Sequence, residues 1–150
     1  MVSLLVGLHA GLGEIGIFAF LWVLVEIINP DEKRIKRAKI VALIGTIFLF
    51  LSWTIGGFYY VNYYGENVKP LIKEGPKPWS HNIIMETKEH VFLFLPFLAI
   101  LITAGLFNYS DKIKIGLIVL TILIILIGLT MAGMGYLISS GARAAMEAKI

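Results

Sequence analysis

Residues 113–138 read IKIGLIVLTILIILIGLTMAGMGYLI, a long apolar run whose one charged residue is Lys114. A helix needs about 20 predominantly apolar residues to cross a hydrocarbon core of about 30 Å. Three further runs of this kind occupy residues 2–28, 40–63 and 87–107. The sequence therefore predicts an all-α protein with four transmembrane helices. Because short connections favour antiparallel neighbours, we expect one up-down-up-down bundle over residues 1–150.

The composition excludes a soluble enzyme. The chain is 58% hydrophobic and only 15% charged, with a mean hydropathy of +0.85, whereas soluble domains carry about 25% charged residues. The chain has no cysteine, which excludes disulfides, thiolate-bound clusters and covalent c-type haem attachment. The net charge of +3 comes mostly from basic residues in short segments between apolar runs. This distribution indicates membrane topology and not a nucleic-acid-binding surface.

Prolines and glycines separate the apolar runs. Asn29-Pro30 ends the first helix, because the residue before a proline avoids the helical region. The segment 64–80 contains two glycines and three prolines, so we expect a mostly irregular surface loop there. Pro96 lies inside the third helix and predicts a kink, because proline removes a backbone hydrogen bond.

The connection after the first helix predicts the orientation. It is short and strongly basic, and basic residues close to helix ends mark the cytoplasmic side. We therefore expect the connections after the first and third helices to lie in the cytoplasm and both termini to lie on the outer side of the cell membrane. The basic residues are Lys33, Arg34, Lys36, Arg37 and Lys39.

The alternation of the helices predicts that unusual residues converge near the outer face. Charged groups inside a membrane cost about 2.5–3.5 kcal/mol on insertion scales and are functional candidates for that reason. The alternative is that those near the interface simply contact water or lipid headgroups. Glu14 lies one to two turns deeper than the others. The converging residues are His9, Tyr59, His81, Glu86, Glu89, His90 and Met131.

Three local patterns within this layer suggest ligands. Glu86, Glu89 and His90 project within about 100° of one helical face and can share an ion or a proton, although acidic residues in a first turn also favour the helix dipole. His9, Gly13 and Gly16 form one stripe. The stripe suits either a flat macrocycle or close helix packing. Met131 could be a soft ligand to copper or haem. The alternative is that it fills space in a packed core.

His9 and His90 lie at similar depth on different helices, with glycines nearby. In this respect the chain resembles the small four-helix membrane b-type cytochromes, at the level of architecture and not of a shared motif. The resemblance implies haem b near the outer face with His9 and His90 as axial ligands, beside the volume left by Gly13 and Gly16. It further implies electron exchange with a quinone near Tyr59. Glu14 would then handle protons.

Two other classes of function fit the same residues. The first is a non-haem protein that binds copper, iron or zinc. Its ligands would come from His9, His81, Glu86, Glu89, His90 and Met131. The second has no cofactor: an accessory subunit of a larger complex, or a small transporter with Glu14 as its proton site. The expected partners are the lipid bilayer, a quinone, a redox partner protein and further copies of the chain.

Overall fold

The computed structural model describes residues 2–148, with side chains from Leu4, and this part of the chain is helical and contains no strand. Four helices are long and apolar enough to cross a membrane, which confirms the predicted fold class. We name them in chain order. They are α1 (Val2–Ile28), α2 (Glu32–Glu74), α3 (Ser80–Phe107) and α4 (Asp111–Glu147).

The helices form a four-membered ring. α1 packs against α2 and α4, and α3 packs against the same two helices, so α1 and α3 are diagonal. The start of α1, the end of α4 and the turn 75–79 lie at one end, here called the terminal end. The turns 29–31 and 108–110 lie at the other, the basic end. Large apolar side chains cover the outside, with Phe18 60%, Phe94 67% and Ile115 75% exposed, as expected for a surface that faces lipid.

The prediction of an irregular loop over residues 64–80 is wrong, because α2 begins earlier and ends later than the predicted span 40–63. It continues through a π-helical stretch, Tyr60–Val68, into a last α-helical segment, Lys69–Glu74. Pro70 stands at the start of this segment, directly after the π-helical stretch. Gly75, Pro76 and Pro78 are confined to the tight turn before α3.

The third helix is interrupted near Pro96, where the sequence predicts a kink. α3 begins with a π-helical stretch, Ser80–Met85, and its α-helical part is divided at Leu93 into Glu86–Phe92 and Phe94–Phe107. Pro96 follows the break by three residues. Its missing N–H removes a bond to the turn that contains Leu93.

α2 is much longer than a membrane crossing requires. The 43 residues of α2 span about 60 Å at 1.5 Å per residue, roughly twice a hydrocarbon core. At the terminal end, α2, α4 and the start of α3 share a second apolar core around Tyr64, Ile72 and Ile138. Close packing of small residues joins them, since a Cβ on Gly75 would lie 2.5 Å from that of Ala145. We call this region the terminal cap.

A buried carboxylate joins α1 to α2 at the basic end. Glu26 is 5% exposed, and its oxygens accept hydrogen bonds from the Trp22 indole at 2.9 Å, from Arg34 Nε at 3.1 Å and from Arg37 at 2.9 and 3.0 Å. Arg34 also donates to the Val25 carbonyl. This Glu26 clamp fixes the hairpin that the first two helices form.

We expect Glu26→Gln to lower the free energy of unfolding by about 1–2 kcal/mol, because charge-assisted hydrogen bonds at a buried position are lost. Glu32→Gln is the matched control, since the Glu32–Lys36 pair is 84% and 70% exposed and such pairs contribute little. Reversible unfolding in mixed micelles measures both. Equal effects of the two substitutions would contradict the assigned role of the clamp.

Candidate functional site

A row of three polar side chains crosses the terminal cap. The Tyr64 hydroxyl lies 3.0 Å from His81 Nδ1 in a hydrogen bond, and His81 Nε2 lies 3.4 Å from Glu86 Oε1. Tyr64 and His81 are buried, at 2% and 1% exposure, whereas the Glu86 side chain is 47% exposed. The array therefore runs from a buried phenol through a buried imidazole to a carboxylate that reaches solvent.

Both buried members of the array stand on π-helical backbone. Tyr64 belongs to the stretch Tyr60–Val68 and His81 to the stretch Ser80–Met85. The wider π turn changes the direction of its side chains, and such turns are frequent at functional sites. Ser80 links the start of α3 to the preceding turn, since its hydroxyl donates a hydrogen bond to the Lys77 carbonyl at 2.8 Å. The unusual backbone and the polar array thus coincide.

Stacked tyrosines surround the buried end of the array. Tyr60 stacks on Tyr64 with ring centroids 5.4 Å apart, and Tyr59 stacks on Tyr63 at 5.8 Å. Beside them, Glu89 Oε1 is buried without a hydrogen-bond partner. Tyr59, predicted at a quinone site, lies partly buried in this stack.

His9 occupies the contact between α1 and α2. Its Nδ1 lies 2.9 Å from the Ser52 carbonyl oxygen and 3.1 Å from Ser52 Oγ, and that hydroxyl donates to the His9 carbonyl at 2.7 Å. Its ring meets Phe92 of α3 edge to face, with centroids 5.8 Å apart. His9 thus reaches the centre of the bundle while its Nδ1 is bound to α2.

The two glycines on the His9 stripe are covered by α2. A Cβ on Gly13 would lie 3.1 Å from Ser52 Oγ, and one on Gly16 would lie 2.9 Å from the Leu49 side chain. The volume expected to admit a macrocycle beside them is thus filled by a neighbouring helix. Of the two interpretations of this stripe, the structure supports close helix packing.

His90 has a different environment. It is exposed on α3, and its Nδ1 is 2.6 Å from the Glu86 carbonyl oxygen one turn earlier. His9 lies near the start of α1 and His90 in the first part of α3, so both are toward the same end of the bundle. The structure does not show the two side chains converging on one point. The haem b ligation by these residues stays a prediction.

The remaining predicted residues are dispersed. Met131 is 6% exposed in the main core and borders a cleft of about 210 Å³ with Val91 and Met134. Glu14 is exposed on the outside of α1. Within residues 2–148 no three histidine, aspartate or glutamate side chains are grouped so as to hold one metal ion. Copper, iron or zinc binding likewise stays a prediction.

Sequence reasoning missed Tyr64, Ser52 and Glu26. Tyr64 stood in the segment interpreted as a loop, although the run Tyr59–Tyr60 followed by Tyr63–Tyr64 has helical spacing that would have placed it near His81. Ser52 and Glu26 carry no motif, because their roles depend on residues of the neighbouring helix.

No model of a known protein family matches the chain. No curated protein and no solved structure matches it either. Its function must therefore be inferred from its own geometry.

We expect Gly56→Ala to lower the free energy of unfolding by about 1–3 kcal/mol, the usual cost of overpacking. A Cβ there would lie 2.5 Å from His9 Nδ1. Gly57→Ala is the control, since a Cβ at that position meets nothing within 4 Å, and it should be neutral or slightly stabilising. Thermal unfolding in detergent compares the two. Equal melting temperatures would show that His9 is not packed against α2.

Proposed function

We propose that the chain is a membrane redox protein in which the Tyr64–His81–Glu86 array releases the proton that accompanies electron transfer. The observation that carries the proposal is the continuous path from a buried phenol through a buried imidazole to a carboxylate that reaches water. An imidazole with one protonated nitrogen can accept a proton on the other, which makes histidine a proton shuttle.

The chemistry follows from the order of the groups. Loss of an electron makes the Tyr64 phenol strongly acidic, and its proton moves to His81 Nδ1, the nearest acceptor. The proton on His81 Nε2 then passes to Glu86 and to water. The electron leaves to a redox partner protein that acts as a one-electron oxidant of high potential, so the net products are a tyrosyl radical, a partner reduced by one electron and a released proton. Electron return reverses these steps.

We assign the terminal end to the outer side of the cell membrane. The support is the density of basic residues in the connection between α1 and α2, at the opposite end of the bundle. Protons from the array would then leave to the outside, and both termini would be extracytoplasmic.

Flash oxidation of the purified protein by a photo-excited ruthenium–bipyridine complex tests the array. We expect a tyrosyl radical signal in the wild type that is lost in Tyr64→Phe. In His81→Phe it should form at least about tenfold more slowly, because the positioned base is absent. Transient absorption and electron paramagnetic resonance measure the radical, and circular dichroism verifies the fold.

His90→Phe is the matched control, because His90 is exposed and its Nδ1 bonds only to its own helix. This variant should form the radical at the wild-type rate. If His81→Phe also matched the wild type, the proton would not travel through His81, and the proposed function would fail.

Haem b is the cofactor that the sequence predicts, and its test is independent of the array. If the protein binds haem through both histidines, a reduced-minus-oxidised spectrum after haem supply shows a Soret band that His9→Ala and His90→Ala each abolish. A full haem complement in either variant would remove this ligand assignment, and metal analysis would then separate a non-haem site from none.

A further inference from the structure

Glu14 lies on the outward-facing side of α1, near the middle of its apolar span. Within the span Leu4–Ile28, it is about 15 Å along the axis from Leu4 and about 18 Å from the Glu26 clamp, at 1.5 Å per residue. The side chain is too short to reach either interface. Among the described residues, none of the ion pairs involves Glu14.

A carboxyl group in hydrocarbon without a hydrogen-bonding partner is strongly unfavourable, whether it is charged or neutral. Carboxyl groups inside membranes therefore face a protein interior or a cavity and pair with other polar groups. In a single copy of this bundle, Glu14 has neither a protein interior nor a polar partner, because it is exposed on the outside of the ring.

The same face of α1 is shaped for close contact. Gly7, Ala10 and Gly11 precede Glu14 at helical spacing, and a Cβ added to either glycine would meet nothing within 4 Å. This face is opposite to the stripe of His9, which packs against α2. The bundle itself therefore leaves it uncovered, and small residues on such a face let two helix backbones approach closely.

We propose that a second copy of this chain docks on the face formed by Gly7, Ala10, Gly11 and Glu14, which we call the Glu14 face. A two-fold axis along the membrane normal places each Glu14 at the same depth as its counterpart in the partner copy. The two carboxyl groups then share protons, each accepting the hydrogen bond that hydrocarbon does not provide. A second copy of the chain thus supplies a carboxyl group at the depth of Glu14, and no other protein is needed to do so.

Cysteine cross-linking tests the proposal, since the natural chain contains no cysteine. The protein is reconstituted in phosphatidylcholine vesicles and treated with copper–phenanthroline. We expect Ala10→Cys to form a disulfide-linked dimer. Leu129→Cys on α4, which is 54% exposed, serves as the control and should remain a monomer.

A second variant, Gly11→Leu, fills the Glu14 face without a clash inside the bundle. We expect it to lower the yield of the Ala10→Cys dimer at least about tenfold, with an unchanged melting temperature. A monomer in vesicles at all protein-to-lipid ratios would overturn the proposal. So would cross-linking through Leu129→Cys with none through Ala10→Cys, or an association with another membrane protein that replaces the homodimer.

Discussion

The close contact between α1 and α2 is the constraint on which the rest of the structure depends. Between membrane helices there is no hydrophobic driving force, so association depends on packing and on hydrogen bonds. This chain supplies packing through Gly16, which faces Leu49 and the Gly45 backbone. It supplies polar contacts at both ends of the seam, through Ser52 with His9 and through the Glu26 clamp. With the first hairpin fixed in this way, α3 and α4 complete the ring.

The polar residues form two groups, which differ in whether solvent can reach them. In the membrane, the polar side chains of the core are bonded in place: the Thr46 hydroxyl lies 2.9 Å from that of Thr103, and Thr121 bonds to its own helix. The first contact joins α2 to α3, and both leave these hydroxyl groups with hydrogen-bond partners. The Tyr64–His81–Glu86 array lies in the terminal cap, where one end reaches solvent. A group that exchanges protons needs that access, and the cap provides it while keeping His81 enclosed.

The two π-helical stretches explain how the cap arises from a proline-rich sequence. The first lies directly before the segment that contains Pro70, and the second lies directly after the turn 75–79. α2 continues to Glu74, and α3 starts at Ser80 with His81 pointing inward. Tyr64 of the first stretch and His81 of the second meet in a hydrogen bond. The Glu14 face, by contrast, is a property of a regular helix and follows from its periodicity alone.

The sequence by itself determined the four membrane helices, the turn at Asn29-Pro30 and the interruption near Pro96. Apolar length and proline geometry act locally, so neighbouring residues suffice to reveal them. It also predicted that most of the candidate site residues lie at one end, because antiparallel alternation follows from helix count. Only the tertiary structure decided which of them meet. His9 binds Ser52, and His81 rather than His90 joins a polar array, since such pairings depend on the rotation of each helix about its axis. That rotation is set by packing against helices distant in sequence, through side chains whose roles no local pattern records.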